Sequence, residues 1–249
     1  MLQLEAITFS CEDPKRMAEF WAEFLDGYDA GGDDDRAHAT GEGTALAFNR
    51  MEKSPTIELP IHLDINVPDR EAELQRLLGL GARLVETKSH SIGDLSETWT
   101  VLRDPEGNGF CIQSPPNAER RLVGNVTFSC AEPVPLGRFW AGALGWPDEP
   151  TDEGFLQQLR EAGMDEREFD AFYVTRETES SRPRFLFQRR EKSQPASYPI
   201  HLDFRSDDRE ADIERLSGLG ASVVETKSTP SGFTWTIMRD PEGNPFCFG

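Results

Sequence analysis

Alternating apolar and polar residues open the chain, and a helical pattern of apolar residues follows directly. Residues 6–11 alternate with a period of two, which predicts a strand with one buried face. Through 14–25 the apolar residues recur three and four positions apart. An amphipathic helix is therefore expected between the N-cap Asp13 and the terminating Gly27. Strand-like runs follow and end in 44–49, which completes one predicted module.

The same order of elements begins again in the middle of the first half of the chain. Residues 61–66 alternate, with His62 and Asp64 on the polar face of the predicted strand. Asp69 is a suitable N-cap for the helix that follows, and Gly79 is expected to end it. Further strands are predicted at 83–86, 98–102 and 110–113, the last after the turn Asp104-Pro105-Glu106-Gly107.

Both modules return in the second half, so the chain is a tandem repeat. Residues 61–89 and 200–228 are identical at 19 of 29 compared positions. The motif Asp-Pro-Glu-Gly-Asn also occurs twice, beginning at Asp104 and at Asp240. Self-similarity of this kind indicates repeated structural units and takes precedence over other readings of the pattern.

The repeat predicts two homologous domains, 1–115 and 121–249. A linker at 116–120 is expected between them, because paired prolines cannot continue a helix or a central strand. Residues 151–168 have no counterpart in the first repeat and carry the pattern of a short helix. We interpret this helical insertion either as a lid over one cup or, alternatively, as a surface insertion or a brace between the domains.

Composition and charge argue against several classes of partner. The chain has 249 residues with 45 acidic and 26 basic side chains, giving a net charge of −19. An acidic surface repels phosphate backbones and anionic lipid, so we expect no nucleic-acid partner and no membrane partner. Without an apolar run of about 20 residues or a visible signal peptide, a cytoplasmic protein is expected. The four cysteines follow the repeat, which favours thiols over a disulfide framework.

The modules predict an α+β fold with two tandem domains. Each domain is expected to pair βαβββ modules into an open, cup-shaped mixed sheet, with helices on one face and a concavity for a ligand on the other. The motifs FW on the first helix, IHLD at the start of the second module, and DPEGNGF or DPEGNPF before the last strand resemble the vicinal oxygen chelate superfamily. The resemblance is closest to its small glyoxalase-like and bleomycin-resistance-type domains and covers nearly the whole chain, twice.

This resemblance implies a place in each cup for a divalent metal, with ligands from the first and last strands of two modules. The matching positions are Ala6, Ala47, His62 and Cys111 in the first repeat, and Asn125, Leu186, His201 and Cys247 in the second. Alanine and leucine cannot ligate, and a catalytic metal usually has three protein ligands, so no cofactor is expected. The alternative is a divalent transition metal held by one His–Cys pair, with Asp64 or Asp203 as third ligand.

The histidines that both repeats share are the main catalytic candidates. One interpretation makes His62 and His201 ligand contacts and general bases, oriented by Asp64 and Asp203. The alternative is that they are inherited from a metal-binding ancestor and only form hydrogen bonds with those carboxylates. His38 and His90 have no repeat partner and are expected at the surface. Cys111 and Cys247 are expected in the cups, as nucleophiles activated by histidine or as small apolar filling.

Other side chains are candidates for ligand contacts because they share a strand face with the cup. Trp99 and Trp235 are expected to stack on a flat ligand, and Arg103 and Arg239 to hold an acidic one, the alternative being a core Trp and a solvated Arg. The polar candidates are Thr8, Asn49, Asn125, Thr127 and Gln188.

These features predict a glyoxalase-like protein that binds a small organic molecule in one or both cups, without a conventional metal site. One alternative is a metal-dependent lyase, isomerase or dioxygenase with a non-standard ligand set. Another is a resistance-type protein that sequesters a drug, which the negative charge favours for a basic ligand. A third is a scaffold that acts through protein contacts. A pseudo-twofold monomer or a homodimer is expected, since a duplicated chain can replace two single-domain copies.

Overall fold

A computed structural model describes most of the chain. The described residues are 1–51, 60–92, 95–147, 157, 160–161, 171–177, 183–190 and 199–249. The insertion predicted at 151–168 falls almost wholly outside them, so its interpretation as lid or brace stays a prediction.

Fifteen strands and four helices occur in the described residues. The strands are β1 Gln3–Cys11, β2 Asp29–Gly32, β3 Arg36–Thr40, β4 Ala45–Arg50, β5 Ile61–Asn66, β6 Arg83–Ile92, β7 Leu95–Arg103, β8 Gly109–Gln113, β9 Leu122–Cys130, β10 Phe172–Thr175, β11 Arg184–Arg189, β12 Ile200–Arg205, β13 Ser222–Ser228, β14 Thr234–Arg239 and β15 Pro245–Phe248. The helices are α1 Pro14–Phe24, α2 Arg70–Gly79, α3 Pro133–Leu144 and α4 Arg209–Gly218. None of these helices is long and apolar enough to span a membrane.

The helix starts follow the local sequence, whereas α1 ends at Phe24, before the expected Gly27, with Leu25 in an extended conformation as its C-cap. Asp13 accepts a hydrogen bond from the backbone N–H of Arg16, and Pro14 occupies the first turn of α1. Asp69 likewise accepts from the backbone N–H groups of Glu71 and Ala72 at the start of α2. These contacts confirm the helix starts that the sequence predicts.

The strands form two mixed sheets, and each sheet takes strands from both repeats. One sheet has eight strands in the order β13-β14-β15-β12-β1-β4-β3-β2, and the other has seven in the order β10-β11-β9-β5-β8-β7-β6. The seams are antiparallel pairs: β1 with β12 in the first sheet, and β5 with β9 in the second. The α+β class with two open, cup-shaped sheets is confirmed.

Aromatic packing explains why the two modules of one repeat do not join edge to edge. In the first repeat, Trp21 and Phe24 of α1 pack against Phe110 of β8, with ring centroids 5.2 and 5.7 Å away. In the second repeat, Trp140 of α3 packs against Phe246 of β15 at 5.1 Å. The helices thus fill the space between the two half-sheets of a repeat. The free edge of each half-sheet then pairs with a half-sheet of the other repeat.

The repeated turn before the last strand also links the two modules of a repeat. The Glu106 carboxylate accepts hydrogen bonds from the backbone N–H groups of Glu12 and Asp13, where α1 begins. Glu242 does the same for Ala131 and Glu132 before α3. A carboxylate beside a helix N-terminus satisfies free N–H groups and complements the helix dipole.

The exchange of half-sheets changes which of the predicted positions share a cup. Ala6 and Ala47 lie in the sheet that contains His201 and Cys247. Correspondingly, Asn125 and Leu186 lie with His62 and Cys111. The expectation that the four positions of one repeat share one cup was therefore wrong, because helix packing within a repeat separates its two half-sheets. We call the two polar faces the His62 cup and the His201 cup.

Candidate functional site

A histidine and an aspartate lie side by side on the floor of the His62 cup. On β5 the apolar residues face the helices, so His62 and Asp64 project from the opposite face. His62 Nε2 is 3.4 Å from Asp64 Oδ1. From β9, across the seam, Thr127 Oγ1 donates to Asp64 Oδ2 at 2.6 Å and Asn125 Nδ2 donates to the same oxygen at 3.1 Å. The site is thus built from both repeats.

The His201 cup repeats this floor. His201 Nε2 is 3.4 Å from Asp203 Oδ1 on β12. The hydroxyl of Thr8, on β1 across the seam, donates to Asp203 Oδ2. At the position of Asn125 the His201 cup has Ala6, which pairs with Asp203 in the strand register and offers no donor.

The Asp64 carboxyl is almost entirely removed from water and is nevertheless held in its ionised form. Its residue exposure is 7%. Burial alone would raise the pKa of Asp64, but the hydrogen bond and charge of His62, together with the donors across the seam, outweigh burial and lower it below the ordinary value. The Asp64 carboxylate is therefore a fixed hydrogen-bond acceptor on the floor of the His62 cup.

The cup cysteines are protonated thiols at neutral pH. Cys111 pairs with Asp64 in the strand register, and Cys247 pairs with Asp203. Burial, reinforced by the adjacent carboxylate, raises the pKa of Cys111 above its usual range and that of Cys247 to about 12. This argues against the thiolate nucleophile and favours small side chains that fill the floor.

Trp99 and Trp235 lie on cup faces, as the alternation predicts. Val101 pairs with Cys111 in the strand register, and Trp99, two residues before Val101, shares that face. The Trp99 side chain is half-buried. Trp235 is stacked on Phe233, with ring centroids 6.0 Å apart. Each Trp faces a lysine on the outermost strand, Lys88 or Lys227. Each lysine is paired with a glutamate two residues before it, Lys88 with Glu86 at 2.9 Å and Lys227 with Glu225 at 2.8 Å, so the edge of each aromatic wall carries an ion pair.

The arginines predicted to hold an acidic ligand each contact a backbone carbonyl of the repeated turn. Arg103 Nη1 donates to the carbonyl of Gly107 at 2.9 Å, and Arg239 Nη1 donates to Gly243 at 2.7 Å. Both glycines lie in the repeated turns at positive φ, 90° and 91°. These arginines hold the turn before the last strand in place.

The wall beside the floor holds the predicted Gln188 and one residue that was not predicted, Arg184. Leu186 lies opposite Thr127 in the register, so Arg184 and Gln188, two positions to either side, share its face. Arg184 Nε donates to Asn125 Oδ1 at 3.0 Å, which links the guanidinium to the Asp64 network. Period-two counting from Leu186 would have found Arg184.

The equivalent wall of the His201 cup is smaller and less polar. Ala45 and Ala47 stand at the positions of Arg184 and Leu186, and Asn49 at that of Gln188. His38 was predicted at the surface and is exposed, yet its pairing with Ala47 places it on the cup face. The fourth histidine, His90, is exposed on the edge strand β6, as predicted.

A family model described as a glyoxalase-like domain matches residues 6–113 and again residues 125–249. The chain belongs to this family. Both halves of each cup lie within the matched ranges, and the resemblance drawn from the repeated motifs is confirmed. No curated protein matches the chain.

Solved structures show the same fold at low sequence identity. Glyoxalase I from Zea mays superimposes with a TM-score of 0.67 at 11% identity, over 100% of this chain and 92% of the maize chain. A dioxygenase-like protein from Bacillus subtilis superimposes with a TM-score of 0.62 at 12% identity, over 98% of this chain and 84% of that one. These glyoxalase-like neighbours establish the architecture and leave the chemistry to the residues in the cups.

The donor atoms present can be tested against the divalent metal that the resemblance implies. The positions expected to supply ligands offer only one His and one Cys to each cup, since Ala6, Ala47 and Leu186 have no donor and Asn125 is bonded to Asp64. A different set does have suitable spacing. The ligand atoms of His62, Asp64 and Cys111 lie within 4.8 Å of one another, as do those of His201, Asp203 and Cys247. This set of nitrogen, oxygen and sulfur donors suits zinc or a similar divalent ion.

Proposed function

We propose that this protein binds a small organic molecule in its cups, with His62 and His201 as the polar groups that contact it. The observation that supports this most is the recurrence of one arrangement on both floors. In each cup a histidine lies 3.4 Å from an aspartate that a threonine of the other repeat holds in place. A polar group so oriented beside an open face is typical of a ligand site.

The same arrangement is suited to proton transfer. The carboxylate fixes the imidazole, and the partly exposed histidine faces the cup. With a substrate bound above it, the imidazole would accept a proton as general base, and the aspartate would stabilise the charge that forms. Aromatic contact with Trp99 or Trp235 would position a flat substrate.

We propose that a single chain suffices for both cups. Each floor already combines a His–Asp pair from one repeat with a threonine from the other. No second copy is needed to complete either site.

A ligand screen by NMR on tag-free, metal-depleted protein tests the proposed function. We expect compounds that bind wild type to lose part of their binding in His62→Ala or His201→Ala and to lose it fully in the double variant. His90→Ala, which removes an exposed histidine on an edge strand, is the matched control. Compounds that bind the double variant as they bind wild type would contradict the proposal.

A second candidate function is metal-dependent catalysis, favoured by the clustering of three donors in each cup. His62, Asp64 and Cys111, or their equivalents in the other cup, would hold the ion. A divalent metal at this place would polarise a substrate oxygen as a Lewis acid. The cysteine would have to lose its proton on binding, against the raised pKa of the free thiol.

Elemental analysis decides between the two candidates. Protein purified without chelator and then exposed to zinc, manganese, nickel or ferrous ion is expected to retain little metal under the first proposal. Retention near one ion per cup, lost in Cys111→Ser and Cys247→Ser, would favour the second.

A further inference from the structure

The wall of the His62 cup next to the floor carries two arginines. Arg184, Leu186 and Gln188 project from β11 onto the cup face, and the period of two continues to Arg190 just past the strand end. The backbone N–H of Arg190 still bonds to the carbonyl of Cys130 at 2.8 Å, so the chain there remains beside β9. Both arginines therefore belong to the same wall.

Hydrogen bonds connect the first of these arginines to the floor. Arg184 Nε donates to Asn125 Oδ1 at 3.0 Å, and the amide nitrogen of Asn125 donates to Asp64 at 3.1 Å. Asn125 is 3% exposed, so this connection is shielded from water. The guanidinium is thereby held one side chain away from the His–Asp pair.

The second arginine continues the cup-facing series of this wall. Arg190 follows Gln188 by two positions, just beyond the end of β11, so it shares the face of Arg184 and Leu186. Its side chain is exposed and is therefore accessible to a ligand that enters the cup.

The His201 cup has no arginine at either position. Ala45 replaces Arg184, and Met51 replaces Arg190, as its backbone N–H bonds to Cys11 in the same way. The nearest arginine on that wall is Arg36, on the outer strand β3. Its charge acts on the neighbouring Asp33, whose carboxylate also accepts the Arg36 backbone N–H.

We propose that the His62 cup selects a small organic acid, whose carboxylate Arg184 and Arg190 bind, and that the His201 cup does not select for negative charge. This inference rests on the proposed function and names the ligand class for one of its two sites. A guanidinium matches a carboxylate in planar, paired hydrogen bonds. On a chain with a net charge of −19, an anion needs such a local positive site to bind at all.

Benzoate, its neutral analogue benzamide and inorganic phosphate are the probes for the test. Binding constants come from chemical-shift titrations of the full chain at low and moderate salt. The key variant combines Arg184→Ala with Arg190→Met. These are the residue types that the His201 cup has at the two positions, Ala45 and Met51. Arg190→Met alone is the second variant, since this exposed residue makes no hydrogen bond to the floor. Arg36→Ala, in the other cup, is the matched control.

We expect wild type to bind benzoate about tenfold more tightly than benzamide, a preference that weakens with salt. The double variant should lose this preference, Arg190→Met should reduce it, and Arg36→Ala should keep it.

Three results would overturn the inference. One is equal binding of benzoate and benzamide to wild type. Another is an unchanged preference in both cup variants. The third is phosphate binding as tight as benzoate with the same arginine dependence, which would indicate an inorganic oxyanion site. Absence of binding by both benzoate and benzamide would overturn the inference as well, whereas the proposed function is decided by the ligand screen on the histidine variants, so the two failures are distinguishable.

Discussion

The two cups have the same floor but differ in how far water reaches it. The Asp64 side chain is 10% exposed and His62 13%, whereas Asp203 is 31% exposed and His201 21%. Around the floor, the His62 cup has Asn125 and Arg184 where the His201 cup has alanines. Larger polar neighbours therefore close one floor, and small apolar ones leave the other open.

This difference gives two surroundings for an aspartate beside a histidine. Asp64 is buried and depends on donors from the protein, namely Thr127 and Asn125. Asp203 has one hydroxyl donor from across the seam, Thr8, and is 31% exposed to solvent. Buried charges are stable only when hydrogen bonds replace the lost water. The predictions below test whether burial separates the two cups in this way.

The largest difference between the two cups is expected in the stability lost on removing the aspartate, in Asp64→Ala compared with Asp203→Ala. Removing Asp64 leaves buried donors of Thr127 and Asn125 without an acceptor, so we expect a loss of about 3 kcal/mol in the free energy of unfolding. For Asp203→Ala we expect about 1 kcal/mol, because water replaces the lost contacts. Urea denaturation followed by tryptophan fluorescence measures both. Equal losses would show that the difference in exposure has no energetic consequence.

The threonines across the seam should show a smaller contrast of the same sign. Thr127→Val removes a donor from a carboxylate that water does not reach, and we expect a loss of about 1.5 kcal/mol. Thr8→Val should cost about 0.5 kcal/mol, since the more exposed Asp203 can bond to water instead. A Thr→Ser variant at each position, which keeps the hydroxyl, is the control. A larger loss in Thr8→Val than in Thr127→Val would contradict the comparison.

Acid titration tests the charge on the floor of the His62 cup. Because the pKa of Asp64 is lower in the folded chain than in the unfolded chain, its ionised form stabilises the fold above the unfolded value. This contribution is lost as pH falls through the folded pKa. The stability difference between wild type and Asp64→Asn should therefore shrink on acidification. Asp29→Asn, at an exposed site, controls for net charge. A difference independent of pH would argue against an ionised Asp64.

The rates of thiol labelling should differ least between the two cups. Cys247 is partly exposed and Cys111 is buried, but the pKa of each is raised. We expect both to react with a thiol reagent at neutral pH more slowly than in the unfolded chain, with Cys247 the faster of the two. Single Cys→Ser variants followed by mass spectrometry assign the rates. Rapid labelling of Cys111 in the folded protein would restore the nucleophile interpretation.

Local patterns in the sequence were sufficient for the elements and for the polar floor. Alternation along 61–66 places His62 and Asp64 on one face, and the structure keeps them there. The same rule places Trp99 on a cup face. The role of Arg103 could not be obtained in this way, because its contact with the Gly107 carbonyl depends on the geometry of the turn.

The sequence by itself determined the repeat, the family, the helix starts and the shared faces of each strand, since all of these follow from motifs and spacing along the chain. Only the tertiary structure decided which module completes which cup. Local patterning specifies the apolar face of α1, but not that it packs on Phe110 of its own repeat and leaves the edge of β1 to β12. That choice brings Thr8 to Asp203 and Arg184 into the His62 cup, so the difference between the two sites is a property of long-range strand pairing.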